Sequence, residues 1–279
     1  MSQPIHPDVI AMARDGEPDR YIAATLSPEA ARPGMIALAA FAADLRRIPS
    51  VVKEPMMGEV RLQWWRDVIA AFDAGTPSGH PIADALGDAT RVHALPPLSL
   101  IAMTEARAFD LYDDPMSDEG AFAGYLAKTE AIPFSLARRI LSGDEMRPDL
   151  ATRAGEMFGR ARILADLPRL LARGRLPLPI ALLDEAGVDV DGFMRGETSH
   201  ATKALRDRLC NEIATSYASM RSTFGALAAQ DRMALLPLAT IPVTLNAIRK
   251  RADDAARRPI EVSPLARVWR IGRARWLGL

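Results

Sequence analysis

Three observations predict an all-α fold: apolar residues recur at helical spacing over long segments, short turns rich in Pro, Gly and Asp separate those segments, and alternating strand patterns are hard to find. From the N-terminus, helices are predicted over Pro7 to Arg14, Asp19 to Leu26, Pro28 to Ile48 and Glu54 to Asp73, closed by the turn "AGTPSGHP". Ile82 to Val92 and Pro97 to Tyr112 follow, up to "DDPMSDEG". Asp118 to Leu141 runs to "SGDEMRPD", and Pro148 to Leu171 runs to "ARGRLPLP". Pro179 to Ala186, Val190 to Met194, Thr198 to Phe224, Gln230 to Arg251 and Pro264 to Trp276 complete the series. The breaks carry the turn and capping residues that stop a helix. No composition change divides the chain and no period of roughly 20 to 50 residues recurs, so one domain is expected over 1–279 rather than a repeat array. Residues 1–18 read as an N-terminal extension and 264–279 as a basic amphipathic C-terminal segment.

Composition bounds the function. The chain has 279 residues, 49% hydrophobic and 25% charged, enough for one large core. Its formal charge is zero, so no global attraction to nucleic acid is implied. A single cysteine, Cys210, excludes an internal disulfide framework and fits a reducing compartment. "MSQPIHPDVIAMARDGEPDR" lacks the pattern of a secretory signal, which leads to the expectation of a cytoplasmic protein. The longest apolar run, "MALLPLATIPVTL", is shorter than the ~20 residues that cross a bilayer and is interrupted by Pro237 and Pro242.

In "EVRLQWWRDVI" a step of about 100° per residue gathers Met57, Val60, Trp64, Trp65, Val68, Ile69 and Phe72 on one side of a helix, with Arg61 among them. An arginine there needs an acidic partner, an anion, or a route to water along its stem. Motifs for common chemistry are absent: the sequence has no Walker loop, no GxGxxG after a strand, no GxSxG, no CxxC and no HExxH. His6, His80, His93 and His200 are scattered and read as solvated bystanders, and Cys210 as a buried structural thiol.

The stretches "DRYIAATLSPEAARPGMIALAAFAADLRRIPSVVKEPMMGEVRLQWWRDVI", "YLAKTEAIPFSLARRIL" and "GEMFGRARILADLPRLLARGRLPLPIALLDEAGVD" together resemble the squalene/phytoene synthase family, most specifically in "EPMMGEVRLQWW" and "ARGRLPLP". The resemblance implies a helical bundle of the isoprenoid-synthase type around a deep central cavity, which in active members holds two prenyl diphosphates. It also implies two DxxxD motifs on facing helices, whose acids one turn apart share Mg²⁺ and neutralise the departing diphosphate.

This sequence departs from that pattern. "AFAADLRRIPS" places Arg46 and Arg47 where the paired acids of the first motif align, and Ser50 where the last would fall. In the second motif "RILADLPRLL" keeps Asp166 but has Leu170 at the second acidic position, with Pro168 expected to distort the helix. Asp19 stands where a diphosphate-contacting serine is expected. The combination is similar to the branch of the family that includes the mitochondrial complex I assembly factor and its bacterial relatives, which keeps the fold without the synthase residues.

On that resemblance Arg61 faces the cavity, either paired with Glu130 or Asp166 or touching an anionic or prenylated ligand beside Trp64 and Trp65; the ion pair is the preferred reading, and the tryptophans are preferred as core. Arg46 and Arg47 remain candidates for direct contact with a diphosphate. The tail "PLARVWRIGRARWLGL" offers Arg267, Trp269, Arg270, Arg273, Arg275 and Trp276 as candidates for contact with anionic lipid, peripheral to an inner membrane, against packing on the bundle. Two functions follow: a non-catalytic binding or assembly factor for a respiratory membrane complex, with no cofactor, and a head-to-head prenyl diphosphate transferase using Mg²⁺. The missing carboxylates favour the first.

Overall fold

Proline placement organises the bundle. The structure, a computed structural model, describes residues 5–250 and 260–279. Its helices are α1 (Pro7–Gly16), α2 (Pro18–Thr25), α3 (Arg32–Val51), α4 (Pro55–Ala70), α5 (Pro81–His93), α6 (Pro97–Ala106), α7 (Glu119–Leu126), α8 (Ile132–Ser142), α9 (Pro148–Leu171), α10 (Ile180–Glu185), α11 (Val190–Met194), α12 (His200–Phe224), α13 (Ala229–Ala234), α14 (Ile241–Lys250) and α15 (Pro264–Leu277). Seven of these open on proline, whose fixed φ suits the first helical position and whose missing N–H is not needed there. The described residues contain no strand.

Three predicted helices are subdivided. Pro97 to Tyr112 ends as α helix at Ala106 and continues as a 3₁₀ turn, Arg107–Leu111. Asp118 to Leu141 is interrupted by a π turn at Ala127–Ala131 between α7 and α8. Pro133 supplies the reason, since it cannot donate to the Thr129 carbonyl four residues back and so frees the wider register. The segment from Gln230 divides into α13, a 3₁₀ turn at Leu236–Thr240, and α14, because Pro237 and Pro242 each remove a backbone donor. Its predicted end at Arg251 lies outside the described residues. Pro168, expected to distort α9, sits inside a helix that continues to Leu171.

The core is built around α3, whose residues from Gly34 to Ala43 are all buried. Small side chains there let neighbouring helices approach: a Cβ on Gly16 would lie 2.4 Å from Ala43 Cβ. α1 therefore lies directly on α3, and the start of α2 is carried into the centre of the bundle. α9 packs across the π turn in the same way. A Cβ on Gly155 would lie 2.5 Å from the Ala131 backbone nitrogen, a position only glycine tolerates.

On α4 the buried residues are Gly58, Leu62, Trp65 and Ile69. The predicted stripe is thus corrected by part of a turn: Met57 and Val60 are more than half exposed, Trp64 is 37% exposed, and Arg61 is exposed.

Candidate functional site

Three helices, the π turn and the 3₁₀ turn bring polar and charged side chains to one cleft of about 680 Å³. α3 supplies Arg46 and Arg47, the 3₁₀ turn supplies Arg107 and Asp110, α7 and the π turn supply Tyr125 and Glu130, and α9 supplies Arg162 and Asp166. Arg175, in the loop after α9, also lines the cleft.

Glu17, at the turn between α1 and α2, holds the centre. Its carboxylate accepts from Arg20 at 2.7 Å and from Arg162 at 2.7 Å, and lies 3.5 Å from Arg46 Nε. Glu130 accepts from Arg20 at 2.9 Å and Arg162 at 3.1 Å, with Arg107 3.7 Å away. Arg107 also donates to Asp110 at 3.0 Å and to the Tyr125 oxygen at 2.8 Å, and Arg175 donates to Asp110 at 2.7 Å. The Arg20 guanidinium sits over the Phe134 and Phe158 rings, 5.3 and 5.0 Å from their centroids.

These contacts set the charge states. Burial alone would push the Glu17 carboxyl up, but Arg162, Arg20 and Arg46 outweigh it and hold the group well below the usual carboxylate range. Glu130 is lowered on the same balance, burial opposed by Arg162 and Arg20. For Asp110, burial is outweighed by Arg107 and Arg175. Burial raises the Tyr125 hydroxyl, with Asp110 adding to it against Arg107, so the phenol stays protonated and donates to Asp110.

The structure brings together Arg46, Arg47, Glu130 and Asp166 of the predicted site residues; all four line the cleft. Arg46 Nη1 donates to Asp166 Oδ2 at 3.4 Å, and Arg46 also donates to the Gly16 carbonyl. Arg169 donates to Asp166 on its other side at 3.2 Å. Arg47 lies 3.6 Å from Asp44 and remains half exposed. The other three stand apart. Arg61 points to solvent rather than the cavity and has no carboxylate partner among the described residues, so neither Glu130 nor Asp166 is its mate. Trp65 is buried but outside the cleft, edge-on to Phe41 and donating to Asp44 at 3.0 Å. Trp64 packs edge-on against Trp65 and His80. Asp19, expected at a phosphate contact, is instead buried away from the cleft, accepting from Thr240 at 3.1 Å and Arg267 at 2.6 Å.

Sequence reasoning missed Glu17, Arg20, Arg107, Asp110, Tyr125, Arg162 and Arg175. A signal for two of the pairs was present: Glu17 with Arg20 and Arg107 with Asp110 are opposite charges three residues apart, a spacing that brings helical side chains together.

The donor set does not fit Mg²⁺. Glu17, Glu130, Asp110 and Asp166 are each engaged by at least two guanidinium groups, leaving no carboxylate pair directed at a common point. Among the described residues no group of three or more His, Cys, Asp or Glu side chains stands close enough to hold a metal ion. Cys210 is buried in α12 with its thiol pushed up by burial.

A bundle of this helical order with one polar-ended cleft is of the isoprenoid-synthase type. Its backbone superposes on a squalene synthase HpnC from Alicyclobacillus acidocaldarius with a TM-score of 0.74 at 17% identity, over 88% of this chain and 92% of that one. A dehydrosqualene synthase gives the same TM-score and identity over 96% and 94%.

The chain belongs to the squalene/phytoene synthase family, whose model matches residues 13–266. It is similar to the NADH dehydrogenase (ubiquinone) complex I assembly factor 6 of Bos taurus, 26% identical over 187 residues, which is 67% of this chain and 56% of that protein. It is also similar to the bifunctional protein CrtB/UppS of Streptomyces coelicolor, 32% identical over 203 residues, 71% of this chain and 35% of that protein. The chain thus spans about half the length of the assembly factor and about a third of the bifunctional protein.

Proposed function

We propose that this protein is a non-catalytic binding or assembly factor for a respiratory membrane complex of the complex I type, built on an isoprenoid-synthase scaffold. The observation that carries this reading is the pair between Arg46 and Asp166. On the resemblance read from the sequence, Arg46 stands at an acidic position of the first metal motif and Asp166 is the surviving acid of the second. Where a synthase would bridge two sets of carboxylates with Mg²⁺, this chain joins α3 to α9 with a guanidinium. A fixed positive charge can hold an anion there, but these paired carboxylates cannot assemble the cation cluster that makes diphosphate a good leaving group.

Incubation of the purified protein with Mg²⁺, farnesyl or geranylgeranyl diphosphate, with and without NADPH, is expected to give no squalene or phytoene. Product above a no-protein control that disappears with EDTA would overturn this reading in favour of the second, a transferase joining two prenyl diphosphates head to head. The open cleft of about 680 Å³ is the feature that supports that alternative. The assembly role itself predicts that deleting the gene depletes assembled respiratory NADH dehydrogenase, seen on native gels, and that the wild-type chain restores it. Normal assembly in the deletion strain would remove the role.

A further inference from the structure

Away from the cleft, α15 presents two unlike faces. Ile271 and Ala274 are buried with Ala23, Met233, Leu236 and Ala239. Arg267 turns inward to Asp19, which corrects its assignment as a membrane-contact candidate. The outer face carries Leu265, Trp269, Gly272 and Trp276 at spacings of four, three and four, which align on one side of a helix. Trp269 is 70% exposed and Trp276 80%. Two indoles left in water on a helix whose inner face is already packed mark a contact surface.

The charged side chains that line the recess beside that stripe are all basic. Burial pushes the half-buried Tyr217 hydroxyl up, and the positive charges of Arg221, Arg270 and Arg273 oppose it. Arg275 sits over the Trp276 ring, 5.0 Å from its centroid. With Arg221 and Arg232 it lines that recess of about 730 Å³ between the end of α12, α13 and α15, and no aspartate or glutamate side chain lines it. Asp231 of α13 is held by Arg138 at 2.8 Å, and Asp19 by Arg267. Among the described residues none of the five arginines makes an ion pair.

We propose that this face docks on an anionic lipid bilayer, with α15 lying in the surface plane, Trp269 and Trp276 at headgroup depth, and Arg221, Arg232, Arg270, Arg273 and Arg275 contacting lipid headgroups. Tryptophan favours that depth, and basic side chains beside an apolar stripe are drawn to a negatively charged leaflet. No helix among the described residues is long and apolar enough to cross a membrane. A second copy of the chain is a poor occupant, because it would set five arginines against five. The face shares no residue with the cleft, so its test is independent of the function proposed for the cleft.

Full-length protein is floated with vesicles of phosphatidylcholine alone or mixed with phosphatidylglycerol, at low salt and at 1 M, where the Debye length is about 3 Å. Binding is expected to the anionic vesicles only and to be lost at 1 M salt. The double variant Arg270→Gln, Arg273→Gln is expected to partition about 25-fold more weakly, from about fivefold for each arginine. The double variant Trp269→Ser, Trp276→Ser also loses binding, and because both pairs are exposed each variant melts as the wild type does. Equal binding to the two vesicle types, no binding to either, or wild-type binding by folded variants overturns the proposal. Brominated lipid that fails to quench Trp269 and Trp276 fluorescence in the bound protein does so as well.

Discussion

Replacing Glu17 by glutamine is expected to lower the melting temperature by about 5 to 8 °C. The side chain is 2% exposed and meets Arg20, Arg162 and Arg46. Glutamine keeps the shape and removes the charge, leaving Arg20 and Arg162 buried with one carboxylate fewer. Removing one partner from a buried ion pair costs about 3–5 kcal/mol. An unfolding entropy of about 2.1 cal/mol/K per residue, taken over 279 residues, gives roughly 0.6 kcal/mol/K and hence the shift. The pH dependence supplies a second reading. Because the arginines hold the folded Glu17 carboxyl below its ordinary value of 4.5, its contribution is complete above that value and is lost as the pH falls beneath it. The difference between wild type and Glu17→Gln should therefore be constant near neutrality and narrow in acid. Circular-dichroism melts across a pH series measure both. A shift under about 2 °C at neutral pH, less than half the expected value, or a gap that widens on acidification, would refute the account of the cluster as a structural centre.

Arg61→Ala should stay within about 0.5 kcal/mol of wild type in urea unfolding, as an exposed side chain without a carboxylate partner does; a loss of several times that would restore the buried ion pair. Gly155→Ala places a methyl 2.5 Å from the Ala131 nitrogen, and forcing α9 from the π turn should cost about 1–3 kcal/mol. An unchanged midpoint would mean that this approach is not required.

The helices were legible because their signals are local: apolar spacing and proline at first turns are both written within a few residues. The inward face of α4 was not. Met57, Val60 and Trp64 form one flank of the predicted stripe and Trp65 and Ile69 the other, beside Leu62; both flanks are apolar, so periodicity leaves the choice to what packs there. α3 offers the edge of Phe41 and the carboxylate of Asp44, which together select Trp65. The polar centre was half legible. Arg46, Arg47 and Asp166 followed from family positions and Glu130 from its candidacy as a partner for Arg61, whereas Glu17 falls in the stretch read as an N-terminal extension. Only the close approach of α1 to α3 at Gly16 carries it inside. Tyr125 and Arg175 belong to segments whose meeting point no spacing within the chain announces.

The contact between Arg267 and Asp19 spans 248 residues of sequence. During synthesis at about 5–20 residues per second, α2 therefore leaves the ribosome roughly 12 to 50 s before the helix that covers it. Over that interval Ala23 lacks Ile271 and Ala274, and the Asp19 carboxylate lacks its guanidinium. The emerging chain must keep an apolar flank open until α15 has been made, which makes this seam a place where a holding chaperone would have a long opportunity to bind.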